Sequence, residues 1–181
     1  MEHFYHNLGE KWFNYQALYS QMVMDFPDKS HFVEVGSWKG MSSAFMAVEI
    51  INSGKDIRFD CVDLWDYDVS QNDISEDMYK NLYDIFIKNI EPVKHIINPI
   101  KDFSLKASKL YNENSIDFIF IDGAHDYKNV KTDIESWFPK LKLGGIIAGH
   151  DYDYDGVSSA VNGFFKDKEI FSISNCWIYK K

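Results

Sequence analysis

Four acidic residues lie within or at the ends of apolar, strand-like runs of the sequence. They are Glu34, Asp63, Asp122 and Asp151. In an open sheet of parallel strands, ligands bind beyond the carboxyl ends of the strands, so these side chains would share one rim. One aspartate at a strand end has little meaning because aspartate favours turns, but several on one rim are explained less readily in that way. We therefore expect at least two of them to contact a ligand.

The segment from Glu34 to Gly40 reads EVGSWKG and has the context of a nucleotide-binding loop, because it follows a strand and opens a helix. Trp38 stands where the dinucleotide pattern places a second glycine, which a pyrophosphate needs to approach the backbone closely. The loop therefore favours a ligand with a nucleoside but no phosphates. S-adenosylmethionine is such a ligand: its carboxylate can bind the loop amides, and Asp63 can accept from its ribose hydroxyls. The alternative is an ordinary tight turn in which Gly36 and Gly40 supply positive φ angles.

Strand-like and helix-like patterns alternate five times and would carry these residues to one rim. The predicted strands are His31–Val35, Ile57–Asp63, Val93–Asn98, Ile116–Ile121 and Ile146–Ala148. The predicted helices are Leu8–Phe26, Ser42–Ile51, Met78–Ile90, Phe103–Tyr111, Val130–Leu141 and Val157–Phe165. This alternation predicts an α/β fold with a mostly parallel sheet and right-handed crossovers. Residues 169–179 predict a closing hairpin that adds an antiparallel edge.

Length and composition indicate one globular domain. The chain has 181 residues, of which 45% are hydrophobic and 26% are charged, close to ordinary averages. The net charge of −9 disfavours nucleic acid as a partner, because its phosphates repel an acidic surface. No apolar run approaches the ~18 residues of a membrane span, and the first residues lack the profile of a signal peptide. Cys61 and Cys176 are too few for a disulfide framework, so we expect a cytoplasmic protein that does not bind membranes.

Four motifs together give the chain a resemblance to a known family. They are FVEVGSWKG at 32–40, CVD at 61–63, DFIFIDGAHDY at 117–127 and GGIIAGHDY at 144–152. With them the chain resembles class I S-adenosylmethionine-dependent methyltransferases, in particular the small bacterial enzymes related to sugar and antibiotic O-methyltransferases. The resemblance implies a Rossmann-like, doubly wound, mostly parallel seven-stranded sheet with one antiparallel edge strand and helices on both faces. It also implies a single domain over residues 1–181, with residues 1–28 as an N-terminal helical extension.

The same resemblance assigns donor-binding roles to residues of the first four strand ends. These residues are Glu34, Gly36, Ser37, Trp38, Gly40, Asp63, Asp102 and Asp122. In this family the loop around Gly36 faces the methionine part of the donor, and the acid at the position of Asp63 faces the ribose. The resemblance implies that adenine lies near residues 100–104, with Asp102 as its polar contact.

Asp122 and Asp151 have the chemistry to activate an acceptor hydroxyl. They end adjacent predicted strands, and two carboxylates can share a divalent cation such as Mg²⁺, which lowers the pKa of a hydroxyl bound to it. In metal-dependent relatives a neighbouring residue adds a third ligand, which here is His150 or Tyr152. A histidine ligand would favour a softer divalent cation than Mg²⁺.

His125, three residues after Asp122, is the candidate general base, and both residues are expected to be catalytic. The resemblance implies this role, because sugar O-methyltransferases commonly have a base at the matching position. The unperturbed pKa of histidine, about 6.5, suits proton removal near neutral pH. The alternative is that His125 caps or packs against the helix that follows it.

Three functions are compatible with these residues. The first is O-methylation of a small hydroxylated metabolite or sugar, which would be the acceptor. The second is N-methylation without a metal, and the third is a module that binds S-adenosylmethionine without turnover. Separately, the aromatic stripe of Trp12, Tyr15 and Tyr19 predicts a helix that packs on the sheet or against a second copy of the chain.

Overall fold

The computed structural model describes residues 1–9, 11–66 and 80–181, so the predicted start of the third helix at Met78 lies outside the described residues. The strands are β1 His31–Val35, β2 Arg58–Asp63, β3 Ile97–Lys101, β4 Ile116–Ile121, β5 Leu141–Gly149, β6 Phe171–Ile173 and β7 Cys176–Lys180. The α-helices are α1 Gln16–Asp25, α2 Met41–Ser53, α3 Leu82–Ile90, α4 Ser104–Ala107, α5 Tyr127–Trp137 and α6 Asp155–Phe165. Within these ranges, none of the helices has the length and apolar character needed to cross a membrane.

The strands form one seven-stranded sheet in the order β3-β2-β1-β4-β5-β7-β6. Strands β1 to β5 pair in parallel, whereas β7 runs antiparallel to both β5 and β6. This confirms the mostly parallel sheet with a closing hairpin; the reversed strand is β7, and β6 lies outside it. The strand order reverses between β1 and β4, which opens the crevice where doubly wound sheets bind ligands.

Alternating side chains of the central strands enter two cores, one on each face of the sheet. On β4, Phe118 and Phe120 pack on the face covered by α1, α2 and α3. Ile119 and Ile121 pack on the opposite face, which α5 and α6 cover. Because both faces are buried, the strand is apolar from Phe118 to Ile121. The close-packed cores hold the strand ends, and with them the rim residues, in fixed relative positions.

The N-terminal helix begins later than the sequence pattern predicts. The pattern starts it at Leu8, whereas α1 begins at Gln16 and is preceded by a single 3₁₀ turn, Tyr5–Asn7. Gly9 has a φ of +147°, which interrupts helical backbone. The aromatic residues at helical spacing therefore fall partly in an irregular stretch, residues 11–15, which we call the N-terminal segment.

The third strand also lies later than predicted, at Ile97–Lys101 instead of Val93–Asn98. The residues before it form a 3₁₀ turn, Glu91–Val93, with Pro92 at its start. Pro99 lies within β3, where it is tolerated because β3 is an edge strand and needs fewer amide donors. The later end of this strand puts Asp102 directly after it, at the carboxyl rim.

Candidate active site

A cavity of about 1040 Å³ lies at the carboxyl ends of the parallel strands. Residues that follow each of β1 to β5 form its walls, together with the N-terminal segment. This is the place where an open α/β sheet binds ligands, and the volume is at the upper end of the range for small-molecule sites. The cavity therefore has room for a nucleoside and a second molecule beside it.

Gly36 brings the loop after β1 against the end of β4. Its φ is +90°, and a Cβ atom built on it would lie 2.1 Å from the carbonyl oxygen of Asp122. A side chain does not fit at such a distance, so the position requires glycine. The amide of Gly36 also donates to the carbonyl of Val62 at 2.8 Å. The loop is thus held between β2 and β4 at the centre of the rim.

Both carboxylate oxygens of Asp63 hold the backbone of neighbouring loops. Oδ2 accepts from the amide of Trp38 at 2.8 Å, and Oδ1 accepts from the amide of Trp65 at 2.7 Å. Burial raises the pKa of Asp63, and the amide hydrogen bonds oppose that rise. Because each oxygen has two lone pairs, Asp63 can order these loops and still accept from a hydroxyl in the cavity.

Asp122, His125 and Asp151 come together at the other end of the cavity. One ligand-type atom from each of the three lies within 4.8 Å of the others. His125 Nε2 is 2.9 Å from Asp151 Oδ2. Burial acts to raise the pKa of Asp151, but hydrogen bonds from His125 and His150 outweigh it and hold the pKa well below its usual range. The structure therefore presents a histidine–carboxylate pair beside a second carboxylate.

His150 lies behind this cluster, and both of its ring nitrogens have partners. Nδ1 is 3.1 Å from Asp151 Oδ1, and Nε2 is 3.0 Å from the side-chain oxygen of Asn14. Burial lowers the pKa of His150, but Asp151 and Asp122 raise it by more, so the net shift is upward. His150 Nδ1 is also 3.7 Å from Asp122 Oδ1. The group with the spacing of metal ligands among the described residues is Asp122, His125 and Asp151, and the predicted ligand role of His150 stays a prediction.

The N-terminal segment contributes residues that the sequence did not single out for the site. Tyr15 is buried and its hydroxyl donates to Asp122 Oδ2 at 2.8 Å, while Asn14 contacts His150. Trp12 lines the cavity, with its ring 6.0 Å from that of Trp38. Tyr15 packs on Phe120 of β4 in its own chain, and contact of the aromatic stripe with a second copy stays a prediction. The one sequence feature that pointed to a site role was the polar Asn14 within an aromatic stripe. Its partner, His150, is 136 residues away in the sequence, so no local pattern links them.

Two predicted donor-binding residues do not reach the cavity wall. Glu34 is 1% exposed, and its carboxylate accepts from the hydroxyls of Tyr19 and Ser43, which ties α1 and α2 to β1. Gly40 precedes α2 with a φ of +83°, and a Cβ atom there would meet Phe86 at 3.0 Å. The other six residues predicted to bind the donor line the cavity: Gly36, Ser37, Trp38, Asp63, Asp102 and Asp122.

The sheet order and the position of the cavity define a class I methyltransferase fold. Residues 33–152 match the methyltransferase domain family, and the chain belongs to this family. It therefore carries a methyltransferase domain of the class that uses S-adenosylmethionine.

Similar proteins differ in how much of their length is matched. An uncharacterized protein of Sinorhizobium fredii, y4gI, is 30% identical over 121 residues, which are 66% of this chain but 13% of that protein. The O-methyltransferase NovP superposes with a TM-score of 0.70 at 16% identity, covering 92% of this chain and 78% of its own. The TDP-rhamnose 3′-O-methyltransferase CalS11 does so with a TM-score of 0.62 at 14% identity, covering 91% and 76%. At these identities the structural likeness shows the fold.

Proposed function

We propose that this domain transfers the methyl group of S-adenosylmethionine to a hydroxyl oxygen of a small hydroxylated metabolite or sugar. The observation that carries the proposal is the His125–Asp151 pair, 2.9 Å apart, beside Asp122 in the wall of the cavity. A hydroxyl must lose its proton to become a good nucleophile, so a positioned histidine suits oxygen acceptors. The structurally similar NovP and CalS11 are O-methyltransferases, which supports the same choice.

Donor and acceptor would occupy different parts of the cavity. The loop amides around Gly36 would bind the methionine part of the donor, and Asp63 would accept from its ribose. The acceptor would lie against the cluster of Asp122, His125 and Asp151, with Trp12 and Tyr154 as aromatic walls. Tyr154 stacks on His125 with the ring centroids 5.2 Å apart, so acceptor binding and base orientation are linked.

The chemical step needs alignment and one proton acceptor. His125 takes the hydroxyl proton, and Asp151 stabilises the imidazolium that results. The acceptor oxygen then forms a bond to the methyl carbon while the bond from that carbon to the sulfonium sulfur breaks, which leaves neutral S-adenosylhomocysteine. Asp122, held by the Tyr15 hydroxyl, orients the acceptor for this in-line displacement.

The same cluster also fits a divalent cation, which is the second candidate for acceptor activation. Two carboxylates and one imidazole, with ligand atoms within 4.8 Å of one another, suit Mn²⁺, Fe²⁺ or Zn²⁺ better than Mg²⁺. When bound, such an ion would lower the pKa of the acceptor hydroxyl. His125 would then be a ligand instead of the base, and Asp122 and Asp151 would complete the set.

Labelled methyl donor and a panel of sugars, polyols, phenols and amines test these alternatives. We expect label in O-methyl ethers, identified by mass spectrometry and NMR. Full turnover after exhaustive chelation would support the metal-free base, whereas activity that is lost in chelator and restored by Mn²⁺ or Zn²⁺ would support the metal. Label only in N-methyl products would contradict the proposal, and donor binding without product from any acceptor would favour the binding module.

A further inference from the structure

Asp133 on α5 is a buried acid with an incomplete set of hydrogen bonds. It lines the cavity and is 8% exposed. Its Oδ1 accepts from the hydroxyl of Ser104, whereas no hydrogen bond from a described residue reaches its Oδ2. Other buried acids are better supplied: Glu34 accepts from two hydroxyls, and Asp60 accepts from four side chains. Oδ2 keeps some exposure to the cavity, so it is the acceptor atom that Asp133 presents to a ligand.

The neighbours of Asp133 define which atom it offers to a ligand. Trp137 Nε1 donates to Ser104 Oγ at 2.8 Å, so the serine hydroxyl is directed onto Asp133 Oδ1. Ser104 therefore has no proton left for a ligand, and Oδ2 is the free acceptor. Burial raises the pKa of Asp133 to about 6, the Ser104 hydrogen bond opposes the rise, and Asp126 adds to it. The neighbouring segments contribute these charged side chains to the cavity wall: Asp102 and Lys106 after β3, and Asp122 after β4.

Asp133 Oδ2 lies near residues that follow β3 and β4. Ser104 follows β3, and a Cβ atom built on Gly123, after β4, would lie 4.0 Å from Oδ2. Oδ2 therefore lies between the residues that follow β3 and those that follow β4, above the ends of β2 and β1, which separate these two strands in the sheet. Asp151 follows β5, on the far side of β4, and Asp63 follows β2, next to β3. A nucleoside whose ribose lies at Asp63 would extend its base toward β3 and Asp133.

We propose that Asp133 Oδ2 accepts a hydrogen bond from the exocyclic amine of the adenine of the methyl donor, and that Asp133 thereby selects adenine over other bases. The inference rests on the donor site assigned above. An amine hydrogen completes the set of donors around the carboxylate. Hypoxanthine has a carbonyl oxygen at that position. Two acceptor oxygens would then face each other without a proton between them, and this repulsion lowers the affinity for the wrong base.

Calorimetry with S-adenosylhomocysteine and S-inosylhomocysteine, which differ at this one position of the base, tests the proposal. At pH 7.5 we expect the wild type to prefer the adenosyl compound by about 5–150-fold, the range of a well-placed polar contact to a base edge. Asp133→Asn should bring the two affinities within a few-fold, because an amide can turn either its oxygen or its NH₂ group to the ligand. Glu135→Gln, on the exposed face of the same helix, is the matched control and should keep the wild-type preference.

A second measurement needs no variant. Below pH 6 the carboxyl of Asp133 becomes protonated and can donate to a carbonyl, so the wild-type preference should narrow at pH 5 relative to pH 7.5. Two results would contradict the role of Asp133 while leaving the donor site intact. One is an adenosyl preference that survives in well-folded Asp133→Asn, and the other is a wild-type preference that is equal at both pH values. If the wild type binds neither compound, the donor site itself is wrong, and this inference fails with it.

Discussion

The three side chains at the acceptor end of the cavity depend on one another for orientation. Asp151 lies in left-handed backbone, with a φ of +56°, and faces His125 and His150. Burial raises the pKa of Asp122, while the nearby His150 acts to lower it. These side chains are half-buried in the cavity wall, where water competes less for their hydrogen bonds than at the open surface. Each member therefore constrains the ring or carboxylate of the next.

Replacing the histidine of this network tests its role directly. His125→Ala should lower kcat by ~10²–10⁴, the usual contribution of a positioned general base. The affinity for S-adenosylhomocysteine should stay within about twofold, because in the proposed arrangement the methionine part and ribose of the donor lie against the ends of β1 and β2, away from His125. Steady-state kinetics and calorimetry on the same preparation measure both quantities. His95→Ala, at an exposed position, is the control, and a wild-type rate in His125→Ala would leave this residue with the helix-packing role only.

At the scale of elements, the loop after β1 joins three strands. Gly36 contacts the carbonyl of Asp122 after β4, and Asp63 after β2 holds the amide of Trp38. The N-terminal segment packs over the ends of β4 and β5, where Tyr15 contacts Asp122 and Asn14 contacts His150. A change in this loop should therefore disturb the donor site and the fold together.

We expect Gly36→Ala to lower the free energy of unfolding by about 2–4 kcal/mol and to abolish donor binding. The left-handed φ costs ~1–2 kcal/mol for a residue with a Cβ atom, and the overlap with backbone atoms adds to it. Gly54→Ala is the matched control: its φ is +69°, but a Cβ atom there has nothing within 4 Å. Gly54→Ala should lower the free energy of unfolding by only ~1 kcal/mol and leave the affinity for the methyl donor unchanged. Urea unfolding measures the stability and calorimetry measures the donor affinity. Equal effects of the two substitutions would show that the contact between residue 36 and the Asp122 carbonyl is not the cause.

At the scale of the whole molecule, buried acids give the protein a pH-dependent stability. Asp60 joins β1, β2 and β3 through His31, Arg58 and Asn98. Burial acts to raise its pKa, but these hydrogen bonds lower it to about 2. Asp60 therefore stabilises the fold above about pH 4, and this stabilisation is lost as the pH falls toward 2. Asp133 has the opposite effect, because its pKa is raised.

The stability of the wild type should fall as the pH rises from about 4 to about 6. The folded pKa of Asp133, about 6, exceeds the unfolded value near 3.8, so in this window the folded protein holds a proton that the unfolded chain has lost. Two pKa units correspond to ~3 kcal/mol. In Asp133→Asn the decline should be smaller by about that amount. Urea unfolding at pH 4.5, 5.5 and 7 measures it, with Glu135→Gln as the control; parallel profiles for the wild type and Asp133→Asn would contradict the assignment.

Much of the fold followed from local patterns in the chain. β4 was predicted with its observed bounds, Ile116–Ile121, because an apolar run between polar residues is the mark of a strand buried on both faces. The hairpin with its turn at Ser174 and Asn175 also followed from local composition. The N-terminal helix did not, because Trp12 and Tyr15 match helical spacing while contacting the rim from irregular backbone. Spacing reports which residues are buried together, but not the backbone that brings them there.

The sequence by itself determined the methyltransferase class, the order of strands and helices, and the aspartates at the strand ends, since these depend on short-range patterns and motifs. Only the tertiary structure decided that His125 and His150 both face Asp151, that Glu34 faces the core, and that Tyr15 and Asp133 reach the cavity. Tyr15 and Asp122 are separated by 107 residues, yet their side chains meet at 2.8 Å. Such contacts depend on strand order, helix packing and the rotamer of each side chain, which many distant residues settle together and no local pattern encodes.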